Sequence, residues 1–279
     1  MISTIGVVTS GGDSPGMNAA ARAVVRTAIS EGVRIFGVYG GYTGLLDGDI
    51  KELSTRSVSD LIQRGGTFLG TGRSKRFHTE EGRKAAMEKL KEHGIEGLVV
   101  IGGDGSLTGA AHLSRHGMPI VGLPATIEND VWGTDYTIGA DTAANTVLEA
   151  INKLRDTASA HRRIILIEVM GKKSGWLAMM AGVAGGAEYV LVPEVKYDLD
   201  EICTEIMDAY EAGKKYSIIV VAQGAGSAVE MGKFIGETTK IDTRVSVLGY
   251  IQRGGAPTVE DRMKASLLGE RAALALMSG

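Results

Sequence analysis

Residues 5–18 read IGVVTSGGDSPGMN, and this stretch decides the fold. The apolar run Ile5–Thr9 predicts a buried strand, two glycines follow at Gly11 and Gly12, and a helical pattern begins at Asn18. In open parallel sheets ligands bind outside the carboxyl ends of strands, where a glycine turn lets backbone amides approach a phosphate. The segment lacks the Gly-Lys-Ser/Thr ending of a Walker A loop. It predicts an α/β fold whose first turn has a phosphate-loop layout.

The alternation of short apolar runs with helical patterns continues along the chain. We predict strands at Ile5–Thr9, Arg34–Tyr39, Leu98–Ile101, Ile120–Leu123, Ile164–Val169, Tyr189–Val192, Ile218–Ala222 and Val245–Leu248. We predict helices at Asn18–Ser30, Ser57–Arg64, Glu80–His93, Ser106–His116, Thr142–Thr157, Gly175–Ala184, Leu199–Ala212 and Val259–Met277. Repeated β-α-β units predict parallel sheets with right-handed crossovers.

The number of predicted strands is large for one open sheet. We therefore expect two stacked, Rossmann-like α/β lobes with parallel sheets. The long helix Thr142–Thr157 is suited to connect them. The predicted larger lobe comprises residues 1–138 and 251–279, and the smaller lobe comprises residues 139–250.

Composition excludes several classes of protein. Glycine supplies 40 of the 279 residues, roughly twice its usual share, but it has no three-residue period and prolines number only 5, which excludes collagen-like and disordered chains. The net charge of -3 argues against a generally basic nucleic-acid or membrane-surface protein. The single cysteine, Cys203, excludes an intrachain disulfide framework. No signal peptide follows Met1, so we expect a soluble, cytoplasmic protein.

A second glycine loop, Gly102–Ser106, follows the third predicted strand. Its two glycines leave space for a ligand, and Ser106 is placed to cap the next helix. Asp104 lies beside them, and Mg²⁺ prefers carboxylate, water and phosphate oxygens. The loop therefore suggests a magnesium-phosphate site, with a simple capped turn as the alternative.

A third loop, Pro124–Asp130, follows the fourth predicted strand and carries Thr126, Glu128 and Asp130. Acids in such a loop take a proton from an attacking hydroxyl or orient a metal-bound phosphate. The alternative is a solvated turn built on Asn and Asp. Basic residues near predicted strand ends favour a phosphate-rich ligand. They are Arg163, Lys172, Lys173, Arg244 and Arg253.

Seven segments resemble motifs of the phosphofructokinase family, in order over essentially the whole chain. They are SGGDSPGMNA (10–19), GGTFLGTGR (65–73), IGGDGS (101–106), PATIEND (124–130), GTDYTIGADTA (133–143), EVMGKKSGWLA (168–178) and GYIQRGG (249–255). The family transfers the γ-phosphoryl group of ATP to the 1-hydroxyl of fructose 6-phosphate, with Mg²⁺. The resemblance therefore implies this glycolytic reaction, with the larger lobe binding the nucleotide and the smaller lobe the sugar phosphate.

The resemblance implies roles for individual residues. The implied catalytic residues, with Glu128 as the base, are Arg73, Thr126, Glu128, Asp130 and Lys172. The implied ATP-binding residues are Gly12, Arg73, Ser74, Gly103, Asp104, Gly105 and Ser106, and Asp104 also serves the metal. The implied substrate-binding residues are Thr126, Glu128, Arg163, Met170, Gly171, Lys172, Gln223, Arg244, Tyr250 and Arg253. Gly105 and Ala125 match the branch that uses ATP, because enzymes that use pyrophosphate usually carry Asp and Lys there.

Departures from the family pattern concentrate at the reactive centre. The family usually has Asp, Arg, Glu, His and an aromatic residue where this chain has Glu128, Lys172, Gln223, Tyr250 and Ser74. One more methylene moves the carboxylate of the base by about 1 Å, and such a misplacement can cost on the order of 10²-fold in rate. We therefore expect lower turnover than is usual. The chain is also short, since bacterial relatives continue past the region 274–279.

An effector pocket for ADP or phosphoenolpyruvate forms between subunits of bacterial members. The matching residues here are Arg22, Arg26, Arg155, Glu188, Lys214 and Lys215, whereas Thr55 replaces an arginine. The arginines that match Arg163 and Arg244 reach the sugar phosphate from a neighbouring subunit. The resemblance therefore implies a homotetramer, and we expect no nucleic-acid or membrane partner.

Two alternatives remain open from the sequence. Gln223 and Tyr250 correspond to sugar contacts, so the substrate could be a different sugar phosphate. The preserved effector cluster beside an altered centre also fits a regulatory, non-catalytic subunit.

Overall fold

The structure, a computed structural model, describes residues 2–278 and is an α/β protein with mostly parallel strands. The strands are β1 Thr4–Ser10, β2 Arg34–Val38, β3 Ile50–Glu52, β4 Gly97–Gly102, β5 Ile120–Pro124, β6 Ile164–Val169, β7 Tyr189–Leu191, β8 Ser217–Ala222 and β9 Thr243–Val247. The α-helices are α1 Met17–Ser30, α2 Gly41–Asp47, α3 Glu80–Glu92, α4 Asp104–Arg115, α5 Ala140–His161, α6 Trp176–Ala184, α7 Leu199–Glu211, α8 Ala228–Thr239 and α9 Val259–Ser278. Short 3₁₀ helices cover Arg76–His78 and Gly249–Arg253.

The chain divides into two compact units. Unit 1 contains the chain up to Ile127, Val131–Thr142 and the chain from Arg253 onward, and unit 2 contains Glu128–Asp130 and Ala143–Gln252. Helix α5 therefore begins in unit 1 and continues into unit 2.

Unit 1 is built on a five-stranded sheet in the order β3-β2-β1-β4-β5. All seven residues of β1 are buried, because helices cover both faces of the sheet. Ile5 and Val7 point into a core completed by α1 and α9, whereas Val8 points into a second core with α2, α3 and α4. The near-continuous apolar run that predicted β1 thus serves two cores.

Unit 2 is built on a four-stranded parallel sheet in the order β7-β8-β6-β9. Leu166 and Val221 of its central strands pack against Ile202 of α7 and Ile235 of α8. The single cysteine, Cys203, is buried in the same core, and burial raises the pKa of its thiol. This residue is therefore a packing residue of unit 2.

The structure confirms the predicted α/β class and every predicted strand to within two residues at each end. The sheets are parallel as predicted except at β3, an unpredicted edge strand that pairs antiparallel with β2. Only helix α2 and a turn at Gly48 separate these strands, so the chain reverses direction. Lys51 and Glu52 are exposed on this edge strand, which explains why β3 has no apolar signal.

The predicted helix Ser57–Arg64 is wrong, since this segment forms turns. The Ser57 hydroxyl accepts a hydrogen bond from the Ser54 amide at 3.0 Å, and Asp60 has a left-handed φ of 58°. Gln63 donates to the Asp60 backbone carbonyl at 3.1 Å. Such local side-chain bonds offer the backbone an alternative to the helix.

Helix α8 was not predicted, because Gly232 and Gly236 weaken its helical signal. A Cβ atom on Gly232 would lie 2.6 Å from Val245 Cγ2 of β9, whereas one on Gly236 would lie 3.4 Å from Thr243. Gly232 therefore allows the helix to pack closely on the sheet of unit 2.

The substitution Gly232→Ala is expected to lower the free energy of unfolding by about 1–3 kcal/mol, because the methyl group overpacks the contact with Val245. Gly236→Ala is the matched control, and its change is expected to stay within about 1 kcal/mol because helix propensity improves. Urea denaturation of both variants measures this. Equal stability of the two variants would contradict the packing role.

Candidate active site

The carboxyl ends of β1, β4 and β5 lie side by side in unit 1. Ser10 is paired with Gly102, and Gly102 is paired with Pro124. The three loops singled out from the sequence therefore begin at one edge of one sheet, where ligands of parallel sheets bind.

Close backbone packing explains two of the glycines at this edge. Gly11 has a φ of 85°, and a Cβ atom there would lie 2.8 Å from the Ser106 Oγ atom. A Cβ atom on Gly102 would lie 2.5 Å from the backbone oxygen of Ser10. Ser106 is buried, and its hydroxyl lies between the first two loops because it is close to both Gly11 and Gly102.

The same edge collects further predicted residues. A Cβ atom on Gly103 would lie 3.5 Å from Thr126 Cβ, and one on Gly12 would lie 3.7 Å from the Arg253 guanidinium carbon. Nη1 of Arg253 is also 4.0 Å from Oδ1 of Asp13. Thr126 and Arg253 are thus both next to the glycine turns.

The segment that carries Arg73 and Ser74 is tied to the first loop. The Thr71 hydroxyl donates to the backbone oxygen of Gly11 at 2.8 Å. The Arg73 side chain is exposed two residues further on, and Ser74 is buried. The backbone that carries Arg73 is therefore held next to the first loop.

Helix α4 begins at Asp104, directly after Gly103. Asp104 and Gly105 are exposed, and a Cβ atom on Gly105 would meet no atom within 4 Å. The helix N-terminus favours a negatively charged ligand, and its first amides lack partners within the helix. This edge of unit 1, which we call the glycine platform, is lined by Gly11, Gly12, Gly102, Gly103 and Gly105.

In unit 2, Glu128 meets the loop after β6. Its Oε2 atom accepts a hydrogen bond from the backbone amide of Lys172 at 3.2 Å. Gly171 has a φ of 133°, and a Cβ atom there would lie 2.4 Å from the Ser174 backbone oxygen. A glycine is therefore required to aim the Lys172 amide at Glu128.

The loop after β8 joins this part of the site. The backbone amide of Gln223 donates to the Val169 backbone oxygen at 3.0 Å, and the backbone amide of Gly224 donates to the Gly171 backbone oxygen at 2.8 Å. Met170, Gly171, Lys172 and Gln223 therefore lie together at the carboxyl edge of the unit 2 sheet. Tyr250, another of the predicted substrate-binding residues, is 77% exposed.

Gln252 is a supporting residue that the sequence reasoning did not single out. It is completely buried, its Oε1 accepts the Met170 amide at 3.1 Å, and its Nε2 donates to the Gly249 backbone oxygen at 2.9 Å. It holds the end of β6 beside the Gly249–Arg253 turn. The signal available in the sequence was the position of this polar residue within the motif GYIQRGG (249–255).

Arg163 and Arg244 lie at the opposite, amino edge of the unit 2 sheet. Arg163 directly precedes β6, and Arg244 is paired with Ile165 near the start of that strand. At about 3.3 Å per residue, the length of β6 places them about 20 Å from Met170 and Lys172. Within one chain these arginines therefore do not meet the predicted sugar-phosphate residues at the carboxyl edge of this sheet.

The predicted effector residues fall into two groups. Arg22 and Arg26 lie on α1 of unit 1, and the others lie in unit 2. Glu188 forms ion pairs with Lys214 at 2.7 Å and Arg155 at 3.7 Å. Lys215 instead donates to the Tyr210 backbone oxygen at 2.6 Å and lies over that ring.

The loop after β5 exposes a large aromatic side chain. Trp132, two residues beyond Asp130, is 96% exposed, and Asn129 has a left-handed φ of 47°.

Among residues 2–278, none of the helices is both long and apolar enough for a membrane span.

Comparison with known proteins places these features in a family. A sequence model described as phosphofructokinase matches residues 4–276. The ATP-dependent 6-phosphofructokinases of Bacillus licheniformis and Bacillus subtilis are each 58% identical over 275 residues, which is 99% of this chain and 86% of theirs.

Solved structures agree with the sequence comparison. Phosphofructokinase from Saccharomyces cerevisiae is 40% identical with a TM-score of 0.92, and phosphofructokinase from Pichia pastoris is 38% identical with a TM-score of 0.95. The match covers 99% and 100% of this chain but spans only 42% and 33% of those longer chains. The chain belongs to the phosphofructokinase family and resembles its bacterial type.

Proposed function

We propose that this chain is an ATP-dependent 6-phosphofructokinase. It transfers the γ-phosphoryl group of ATP to the 1-hydroxyl of fructose 6-phosphate, and the products are ADP and fructose 1,6-bisphosphate. The observation that carries this proposal is 58% identity over 99% of the chain to relatives of that name. The arrangement of glycine turns, acids and cations at the sheet edges supports it.

In this proposal the polyphosphate binds at the carboxyl edge of unit 1. Backbone amides of Gly12 and Gly103, the N-terminus of α4 and the Arg73 guanidinium supply positive potential. Ser106 holds the two glycine turns in place. Arg73 and Lys172 stabilise the charge that spreads over the transferred phosphoryl oxygens.

Mg²⁺ fits this edge through Asp104. Among the described residues, no group of three or more His, Cys, Asp or Glu side chains could hold a metal by itself. Mg²⁺ in kinases is commonly held by one or two carboxylates together with the substrate phosphates. An exposed Asp104 beside the glycine platform meets that requirement. When bound, the ion would neutralise phosphate charge.

Glu128 acts as the general base. Its carboxylate takes the proton of the sugar 1-hydroxyl as that oxygen attacks the γ-phosphorus. The Lys172 amide, 3.2 Å from Oε2, orients the carboxylate. Thr126 and Asp130 position the reacting groups. Because the side chain is one methylene longer than the family's aspartate, we expect a reduced rate.

The sugar phosphate is anchored by Arg163 and Arg244 of a neighbouring copy, together with Arg253. The position of Arg163 and Arg244 at the amino edge supports this arrangement, because the predicted sugar residues Met170, Gly171, Lys172 and Gln223 lie at the other edge of the same sheet. The enzyme is then a homotetramer, and ADP or phosphoenolpyruvate binds the cluster around Glu188 as an effector. Light scattering on the purified chain measures the assembly.

A steady-state assay with ATP, MgCl₂ and fructose 6-phosphate tests the proposed function. Formation of fructose 1,6-bisphosphate is expected, and a panel of other sugar phosphates tests whether Gln223 and Tyr250 change the preference. Assays with and without ADP and phosphoenolpyruvate test the effector site. Binding of fructose 6-phosphate without turnover would favour a regulatory subunit.

The substitution Gly105→Asp is expected to lower kcat/KM for ATP by about tenfold or more. The new side chain enters open space, so the fold is unaffected, but its carboxylate repels the polyphosphate beside α4. Ala111→Asp is the matched control, because it adds the same charge at an exposed position of the same helix. Equal ATP kinetics of the two variants would contradict the proposal that ATP binds at the carboxyl edge of unit 1.

A further inference from the structure

One carboxylate bridges the two arginines at the amino edge of the unit 2 sheet. Nε of Arg163 is 3.2 Å from Oδ2 of Asp242, and Nη2 of Arg244 is 3.1 Å from Oδ1. Each guanidinium therefore has its own carboxylate oxygen. Nε of Arg163 is buried and makes an ion pair rather than a directed hydrogen bond.

Backbone pairing fixes Asp242 in this position. Its carbonyl oxygen accepts the Ile164 amide at 3.0 Å, and Ile164 is aligned with Thr243 in the β6–β9 ladder. Asp242 therefore lies opposite Arg163, and it is two residues before Arg244, a spacing that places both on one face of a strand. The strand register itself brings the three side chains together.

We propose that Asp242 is a positioning residue of the sugar-phosphate site, which holds the guanidinium groups of Arg163 and Arg244 side by side. This inference rests on the proposed role of these arginines in binding the phosphate. Asp242 engages Nε of Arg163 and Nη2 of Arg244, and in this proposal the remaining guanidinium nitrogens bind the phosphate.

The exposures of the side chains indicate why such positioning is needed. The Arg244 side chain is 63% exposed, compared with 22% for Arg163. An exposed arginine must lose rotamer freedom when it binds a phosphate, and holding it beforehand reduces that cost. Asp242 therefore increases affinity for a phosphate even though it carries negative charge itself.

The experiment compares Asp242→Asn with native enzyme. KM for fructose 6-phosphate is expected to rise about tenfold, because two arginines lose their fixed geometry. The values of kcat and of KM for ATP are expected to change less than about twofold, a separation that general destabilisation would not produce. Glu52→Gln is the matched control, since Glu52 pairs with Arg34 at 3.0 Å in unit 1.

Calorimetry with fructose 6-phosphate and with inorganic phosphate separates this inference from the proposed function. If the native chain has no turnover, weaker binding of either compound by Asp242→Asn still supports positioning. In an Arg244→Ala background the same substitution should have less than half of its effect. Unchanged or tighter phosphate binding by Asp242→Asn would overturn the inference, because Asp242 would then be neutral or a competitor.

Discussion

Replacement of Glu128 by glutamine is expected to lower kcat by about 10²–10⁴-fold, because the reaction loses its general base. Glutamine has nearly the same shape, and its side-chain oxygen can still accept the Lys172 amide that now lies 3.2 Å from Oε2. Binding of the sugar phosphate is therefore expected to persist. Initial rates with saturating ATP and Mg²⁺ measure kcat, and calorimetry measures the affinity for fructose 6-phosphate.

Glu194→Gln is the matched control for this experiment. Glu194 also lies in unit 2 and accepts a backbone amide, that of Gly175, at 2.8 Å. Its replacement is expected to leave kcat within about twofold. A Glu128→Gln enzyme with near-native kcat would refute the role of Glu128 as the base.

Glu128→Asp tests the expected attenuation separately. If the longer side chain misplaces the carboxylate, the aspartate variant is expected to turn over up to about 10²-fold faster. A lower rate would show instead that the Lys172 contact suits the longer side chain. Absence of turnover in both the native enzyme and the aspartate variant would favour a regulatory, non-catalytic subunit.

The largest expected effect on stability comes from Asp261→Ala. Asp261 is completely buried in unit 1, and its carboxylate accepts the amides of Gly139 at 2.7 Å and Thr142 at 2.8 Å. The hydroxyls of Thr142 and Tyr136 also donate to it. Burial, and then the contact with Asp261, raise the pKa of Tyr136, so its hydroxyl remains a donor.

Each donor left without a partner costs about 1–3 kcal/mol, so a total loss of about 3–5 kcal/mol is expected for Asp261→Ala, with some recovery through entering water. Urea denaturation measures the loss. Glu260→Gln is the control, because Glu260 is exposed and forms an ion pair with Lys264 on the surface, where such pairs contribute up to about 1 kcal/mol. A loss below 1 kcal/mol for Asp261→Ala would contradict its buried role.

Asp261 also affects the proposed active site indirectly. It fixes the segment before α5, whose Thr137 hydroxyl donates to the Thr126 backbone oxygen at 2.8 Å. The Ile138 amide in the same segment donates to Pro124 at 2.9 Å. Loss of the carboxylate is therefore expected to loosen the loop that carries Thr126.

Much of the fold could be predicted because buried parallel strands leave a strong apolar signal. The run Ile164–Val169 was predicted to the residue, since both faces of β6 are covered. Helix α8 was not predicted because the packing that demands Gly232 is tertiary. The turns in Ser57–Arg64 were mistaken for a helix because serine and aspartate favour both helix caps and turns.

The types of residue in the candidate site could be predicted, but the groups that hold those residues in place could not. Glycine pairs and acids after strands indicated the phosphate platform, because strand ends share one edge of a sheet. The sequence could not show that Gln252 is buried beneath Met170, nor that the Lys172 amide holds Glu128, because both depend on how loops fold. The two-residue spacing of Asp242 and Arg244 is visible in the sequence, but the alignment of Asp242 with Arg163 follows from the β6–β9 register.

Trp132 makes the loop after β5 optically observable. The chain has two tryptophans; Trp132 is 96% exposed, and Trp176, at the start of α6, is partly buried. The two indoles therefore differ in emission wavelength and in their access to a soluble quencher such as acrylamide. Fluorescence of the unlabelled protein thus reports on the neighbourhood of Asp130.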